Sequence, residues 1–547
     1  MSIFSSGDPL NAIVCDVGQY ATKIGFAGED YPRAYFRSNV AAIREGDDPN
    51  APKTKTTTTT SSNDDQKQKE KRRPIVDLNY DYYNRPICSR ASDPKEWHDG
   101  NWETQNPVDA TTGLWYDPHS YNESSGGGAD WYDQLELMVQ HGYKTSLANA
   151  QPENHPFLLM EKSYNPPPIR QQTLECLFEG ALQMPAVFLA KDATLACYAC
   201  GRTTGTVVDM GYGGTTVTPV YEGYVETKGI HRSPVGMLEM DERILQTLDH
   251  FGSKQKQPPF LPLYQVKHNK STPRRADPFH HLARLYVAQG CREEGVGAAV
   301  DTTSTAVAFA ARNAPFTLPD GQTVNIPPNH RFAVANLLLD KDEQERRDEI
   351  VEARKKKLSS YINDANANSD NDKETKVFTD ASAVGISSTR RGRKRQASSP
   401  KKETPQPKTS FSNRLLQKAC IPYLQTYLEE HLTASPLPAM VCDAAYRCDR
   451  DQQPQLLGNV VLAGGGACLG PTEQAVPDFL REKVETMIHA HTPGWRVKVL
   501  SPGITERKVC SWLGGSILGS LGTFHEMWIT RAEYEEYGTA IVNRKCP

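Results

Sequence analysis

The chain has 547 residues, with 62 Lys and Arg against 66 Asp and Glu, for a formal net charge of −4. This near-balance excludes a uniformly basic nucleic-acid binder held by bulk charge. Length alone corresponds to about three or four ordinary domains. Only 38% of residues are hydrophobic, and 39 Gly and 38 Pro are present, which suits a globular protein carrying long polar inserts.

In chain order, Met1–Asn11 has neither a basic start nor an apolar run, so a signal peptide is not expected. No stretch of about 18 apolar residues occurs, so no membrane span is expected either. Residues 1–44 read as folded, and Ala12–Cys15 suits a buried strand. Residues 45–130 read as an insert. Its first part, 45–73, contains no aromatic residue and buries too little surface to offset the cost of ordering. Its second part, 76–130, is rich in aromatics such as Tyr80, Trp97 and Trp115 and ends in a glycine run.

Folded chain resumes over 131–200, where 171–180 and 190–201 suit helices. The second holds Cys197-x-x-Cys200, which has no partner pair and reads as core. The scattered cysteines as a whole fit a reducing compartment. Residues 201–340 form another folded block, with Thr206–Val208 as a buried strand. Residues 341–410 read as a disordered basic insert with 17 Lys and Arg against 12 Asp and Glu, its start over 341–357 having the pattern of a solvated charged helix. Its end carries Arg390, Arg391, Arg393, Lys394, Arg395, Lys401 and Lys402. These two basic clusters resemble a bipartite nuclear-import signal; a solvated charge run and a DNA-touching tail are the alternatives. Residues 411–470 and 471–547 close the chain, with helices expected over 479–489 and 517–528. Strands and helices mix along the chain, so the fold class is α/β.

Two segments repeat one design. Asp16-Val-Gly18 follows one apolar run and Asp209-Met-Gly211 follows another. Each leads through a tight turn into a second strand, by way of Gln19 and Tyr20 in the first and Tyr212, Gly213 and Gly214 in the second. The aspartates are 193 positions apart, so each suits one half of a two-lobed fold. Glycine lets backbone N–H groups crowd phosphate oxygens. An Asp behind each turn, Asp16 and Asp209, can hold Mg²⁺ through water, and Lys23 can reach a phosphate. The pair therefore points to a nucleotide. A dinucleotide fingerprint at Gly211–Gly214 is excluded, because strand-like Thr215–Tyr221 follows it instead of a helix. Two ordinary glycine hairpins are the plain alternative. Val460–Ala463 runs into Gly464, Gly465 and Gly466, a turn that lets a base or ribose approach the backbone, and Lys508 can stack along an adenine.

At these residues the chain resembles the actin superfamily. The likeness covers the three folded blocks and is carried by Gly25–Asp30, Tyr198–Gly205, Tyr221–Tyr224, Leu318–Gln322 and Trp512–Trp528. It implies two ribonuclease-H-like halves around an ATP–Mg²⁺ cleft, with Leu469 beside the nucleotide. One lobe would take 1–44, 131–200 and the C-terminal part of 471–547, and the other 201–340 and 411–470. Within the superfamily the chain is most similar to the nuclear actin-related proteins of the fourth class, on Tyr20, Phe188–Ala193, Gly229–Pro234 and the terminal Arg544–Pro547. This implies a nuclear, non-filamentous subunit of chromatin-remodelling and histone-acetyltransferase complexes that binds ATP or ADP. Its partners would be actin, a helix of the motor subunit, other complex subunits and histones, with no membrane and no sequence-specific nucleic acid.

Departures from actin bear on catalysis. Where actin has a Gln and a His that position the attacking water, and an Asp that helps hold the metal's waters, this chain has Asp192, Thr216 and Tyr212. The resemblance thus implies nucleotide binding with weak or absent hydrolysis and no catalytic residue. Tyr20 crowds the first turn, and the two inserts obstruct head-to-tail assembly. The matching partner groove is Tyr198, Gly201, Thr203, Ile517, Leu518, Leu521, Phe524 and Met527, with 517, 518, 521, 524 and 528 on one helical face. For Ile517 and Leu521 individually, a core role is the alternative. A polymerising cytoskeletal ATPase is opposed by the departures, and a metabolite kinase of the same superfamily by Trp512–Trp528.

Overall fold

The computed structural model describes residues 12–38, 40–43, 75–76, 102–106, 108–109, 112–114, 131–147, 150–252, 260–262, 266, 278–295, 312–367, 411–470 and 472–547. Numbering only the strands on the main path of the two large sheets, these are β1 (Ile13–Val17), β2 (Ala21–Phe26), β3 (Ala34–Arg37), β4 (Phe157–Glu161), β5 (Ala186–Lys191), β6 (Gly205–Met210), β7 (Thr215–Tyr221), β8 (Tyr224–Val225), β9 (Val460–Ala463), β10 (Val499–Leu500) and β11 (Ile529–Thr530), with His231–Ser233 pairing beside the start of β7.

The first sheet has the order β11-β5-β4-β1-β2-β3 and the second β8-β7-β6-β9-β10. Both begin as an antiparallel meander, β1-β2-β3 and β6-β7-β8, and both then add two parallel strands beside the first, β4-β5 and β9-β10. One topology is thus built twice. The central strands are apolar runs because parallel strands are covered on both faces: β4 and β9 are buried throughout, and β1 is buried except at Asp16.

Helix Asp192–Ala199 leaves β5 directly and packs Ala193, Ala196 and Cys197 against Val207 and Val461 of the second sheet. Helix Cys510–Ser520 crosses it. The crossing is close: a Cβ at Gly514 would overlap the Leu195 carbonyl, and one at Gly515 would lie 2.9 Å from Val14 of the first sheet. Trp512, fully buried, donates its Nε1–H to the Val14 carbonyl at 3.1 Å. This helix pair joins the two halves. Cys197 is buried in the core, as its lone CxxC context implied, and Cys200 and Cys510 are free thiols.

Two segments differ in part from their expected form, and a third follows it. The charged helix expected over 341–357 forms, but it runs over 344–367 and is not wholly solvated: its Val351, Leu358, Tyr361 and Ile362 join the first core beside Leu416, Cys420 and Leu424. A narrow apolar stripe is spaced along an otherwise charged sequence, and tertiary packing supplies what composition does not. The fully buried Arg347 donates to the carbonyls of Leu337 and Ala434, so it caps the end of helix Pro328–Leu339. The helix expected over 479–489 forms over Ala475–His489 and packs with the second core through Val476, Phe479, Leu480, Val484 and Ile488, and β10 beyond it pairs with β9. The helix expected over 517–528 stops at Ser520, because Leu521 is extended and Gly522–Glu526 forms a separate 3₁₀ turn. Among the described residues, no helix is long and apolar enough to cross a membrane.

Candidate functional site: a cleft between two glycine turns

Both hairpins form as their spacing requires. Asp16 pairs with Lys23 across β1-β2, and Asp209 with Thr216 across β6-β7. Gly18 N–H donates to Ala21 O, and Gly211 N–H donates to Gly214 O, each at 3.1 Å. The turns meet so closely that any Cβ at Gly213 would overlap the Gln19 amide. Tyr20 and Tyr212 face each other with ring centroids 5.1 Å apart. Between the halves lies a cleft of about 630 Å³, within the ordinary range of about 300–1,000 Å³ for a small-molecule site.

The cleft is lined by Asp16, Gly18, Gln19, Tyr20, Lys23, Asp209, Gly211, Tyr212, Gly213, Gly214, Gly464, Gly465, Leu469 and Lys508. Gly466 turns away: a Cβ there would meet Met237 and Met210 at 2.6 and 2.9 Å, so packing demands this glycine. Gly464 has φ +88°, and a Cβ there would lie 2.6 Å from Asp209 Oδ1, so both conformation and space require glycine. Its turn is tied down by the buried Arg507, which donates to Pro502 O and Ala467 O and whose own carbonyl accepts from Gly464 N–H.

The charged groups are already paired. Lys23 Nζ lies 2.6 Å from Asp16 Oδ2. Lys162 Nζ lies 2.9 Å from both Asp192 Oδ2 and Asp209 Oδ2. Burial pushes the Asp209 carboxyl up, but Lys162, with Lys23 and Arg232, outweighs it and holds the group below its ordinary value. Burial likewise pulls the Lys162 ammonium down, and Asp209 and Asp192 more than restore it. Asp192 is also bonded locally: Oδ1 accepts from Ser163 Oγ at 2.7 Å, Ser163 N–H at 3.1 Å and Ala193 N–H at 2.8 Å. Thr216 Oγ1 accepts from Arg232 at 3.2 Å.

A nucleotide fits this arrangement. Among the described residues nothing accepts from the backbone N–H groups of Gln19, Tyr20, Tyr212 and Gly213. The Gln19 amide oxygen is buried without a partner; turned over, that amide presents two donors to a phosphate. Mg²⁺ ligated directly by the protein does not fit. Asp16 and Asp209 each carry an ammonium, Tyr212 offers no carboxylate, and among the described residues no group of three or more His, Cys, Asp or Glu is placed to hold a metal ion.

Lys162 was not among the residues singled out from sequence, nor were Arg37 and Gln289. Lys162 follows the apolar run of β4 directly, at the carboxyl end of a parallel strand where α/β folds bind ligands, and that position was the available signal. Arg37 lies over the Tyr20 ring at 3.5 Å and donates to Gln289 at 2.7 Å, and Gln289 also bonds the Tyr20 hydroxyl. No sequence pattern linked these three.

The expected partner groove is only partly formed as described. Ile517, Leu521 and Met527 are 40%, 47% and 40% exposed, so they are surface and not core. Tyr224, 63% exposed, is a further apolar surface residue. Tyr198 and Leu518 are half-buried, and Gly201 and Thr203 are exposed. Phe524 is turned inward, 6% exposed, with its ring 4.8 Å from Phe188 and 5.2 Å from Trp528; the helix break at Leu521 takes it off the expected face. The basic residues Arg390–Arg395, Lys401 and Lys402 lie outside the described residues.

A duplicated α/β fold with paired glycine turns over a shared cleft defines an actin-like protein. The actin family model matches residues 7–547, and the chain belongs to the actin family. It is similar to proteins named actin-related protein 4 from rice (Oryza sativa subsp. indica) and Arabidopsis thaliana. Each is 29% identical to it, with 99% of this chain and 99% of the relative covered. It is also similar to the protein of that name from Schizosaccharomyces pombe, at 25% identity over 100% of this chain and 99% of the relative.

Proposed function

We propose that this chain is a nuclear, non-filamentous scaffold subunit that holds ATP or ADP without turning it over. The observation that carries this reading is the contrast within the cleft. The glycine turns and free backbone N–H groups that grip phosphate are in place. Asp192, at the position that would activate water, is held by four donors: Oδ1 accepts from Ser163 Oγ, Ser163 N–H and Ala193 N–H, and Oδ2 accepts from Lys162. A carboxylate oriented by these bonds is directed at its protein partners instead of at a water. Bound nucleotide then stabilises the closed halves by mass action.

The full-length likeness to actin-related protein 4 supports a place in chromatin-remodelling and histone-acetyltransferase complexes, docked beside actin on a helix of the motor subunit. The exposed Ile517, Leu521 and Met527 supply an apolar surface for such a helix. The basic cluster at 390–402 supports nuclear import. Affinity purification of tagged wild type should recover actin and a motor ATPase from nuclear extract, and I517D/L521D should lose both while keeping its melting temperature. Cytoplasmic recovery without these partners, or long filaments under actin-polymerising conditions, would contradict the reading.

A further inference from the structure

Lys162 stands where the two halves come together at the cleft floor. It follows β4 of the first sheet, and its ammonium joins Asp192, which opens the helix after β5, to Asp209 at the end of β6 in the second sheet. Among the described residues these carboxylates take two of its N–H bonds, and the third is left for another acceptor. The charges of the cleft lining nearly cancel without any metal: Asp16, Glu161, Asp192, Asp209 and Glu293 stand against Lys23, Lys162, Arg232, Arg292, Arg507 and Lys508. Mg²⁺ asks for near-octahedral oxygen ligation, whereas an ammonium asks for a few acceptors and brings its charge permanently.

We propose that Lys162 is the resident cation of the phosphate site, its ammonium between Asp192 and Asp209 making ATP or ADP binding independent of a divalent metal. This rests on the nucleotide-binding reading above. The third N–H of Lys162 meets a phosphate oxygen, and Lys23 and the two turns supply the remaining donors. Asp192 acts as a positioning residue that holds the ammonium at the phosphate end of the cleft. A merely structural ion pair would instead swing aside when magnesium nucleotide enters, and affinity would then need the metal.

The test is titration of the nucleotide-free full-length chain with ATP and with ADP by calorimetry, in excess Mg²⁺ and in excess EDTA. For wild type, chelation should change affinity by less than about threefold, whereas K162A should lose about tenfold or more on chelation, the size of a typical coupling between two sites. K162Q should behave like K162A and replaces it if a melting scan shows K162A unfolded. A loss of about tenfold or more on chelating wild type overturns the inference and leaves nucleotide binding intact, and the wild-type comparison needs no variant. Indifference of K162A and K162Q to chelation also overturns it. Absence of binding under both conditions overturns the nucleotide reading itself.

Discussion

The turn after β1 and the turn after β6 are closed by the same 3.1 Å backbone hydrogen bond, yet they are supported differently. The second is wedged from behind, because a Cβ at Gly236 would run into the backbone of Gly214, Tyr212 and Gly211. Among the described residues no glycine is wedged behind the first turn in this way; the turn glycines themselves are equivalent, a Cβ at Gly18 meeting Ala21 O and one at Gly211 meeting Gly214 O, each at 3.1 Å. The first turn is held from the side instead, by Asn106 donating to Gln19 O at 2.5 Å and by Tyr20 clamped between Arg37 and Gln289. The backbone geometry of the turn is thus kept in both halves, while the side chains that support it differ. The two turns are equal in geometry and unequal in what a mutation can reach.

The largest effect should come from the wedged turn. G236A forces backbone atoms apart and should cost about 2 kcal/mol or more of stability together with measurable ATP binding, by the usual penalty for overpacking. G18A should cost clearly less in the same melting and titration experiments; equal losses would dissolve the distinction. The next effect concerns the clamp. R37A and Y20A remove a cation–π contact worth about 1 kcal/mol and should raise the nucleotide off-rate several-fold with little change in on-rate, read by stopped-flow displacement. Mutation at Tyr212 reaches the same ring pair from the other half, and Y212A should act in the same direction as Y20A.

The smallest effect is one of pH, beside β7 of the second half. Burial, the larger influence, pulls the imidazoles of His231 and His431 below their ordinary value, against their hydrogen bonds to the carbonyls of Gly229 and Ile230. Between its lowered folded value and the unfolded value of about 6.5 each imidazole gains a proton on unfolding, so its contribution is present above about 6.5 and is lost as the pH falls through the folded value. Melting temperature should therefore decline from about pH 7 to pH 5, and H231Q/H431Q should flatten that slope. An unchanged slope would place the proton uptake elsewhere.

Local features were the legible part of the sequence. Asp-x-Gly after an apolar run fixed both hairpins, and the glycines of the third turn marked a close approach that Gly464 makes. Interactions across long separations were not legible. Lys162, Asp192 and Asp209 lie on three elements from both halves, and only the fold brings one ammonium to two carboxylates. Arg37 and Gln289 meet over a separation of 252 positions. The break at Leu521 followed from tertiary packing that buries Phe524, which overrode a helical spacing read from sequence alone. The helix at 344–367 runs past its expected end at 357 because Leu358, Tyr361 and Ile362 continue an inward apolar stripe that gains its partners only from the fold.

Grip without turnover is tested most directly by loading the purified wild-type chain with γ-labelled ATP and following both retained nucleotide and released phosphate. The expected result is about one ATP held per chain and recovered intact, with phosphate release no faster from wild type than from D192A. Steady phosphate release that disappears in D192A would contradict it, by showing Asp192 free to act as a base.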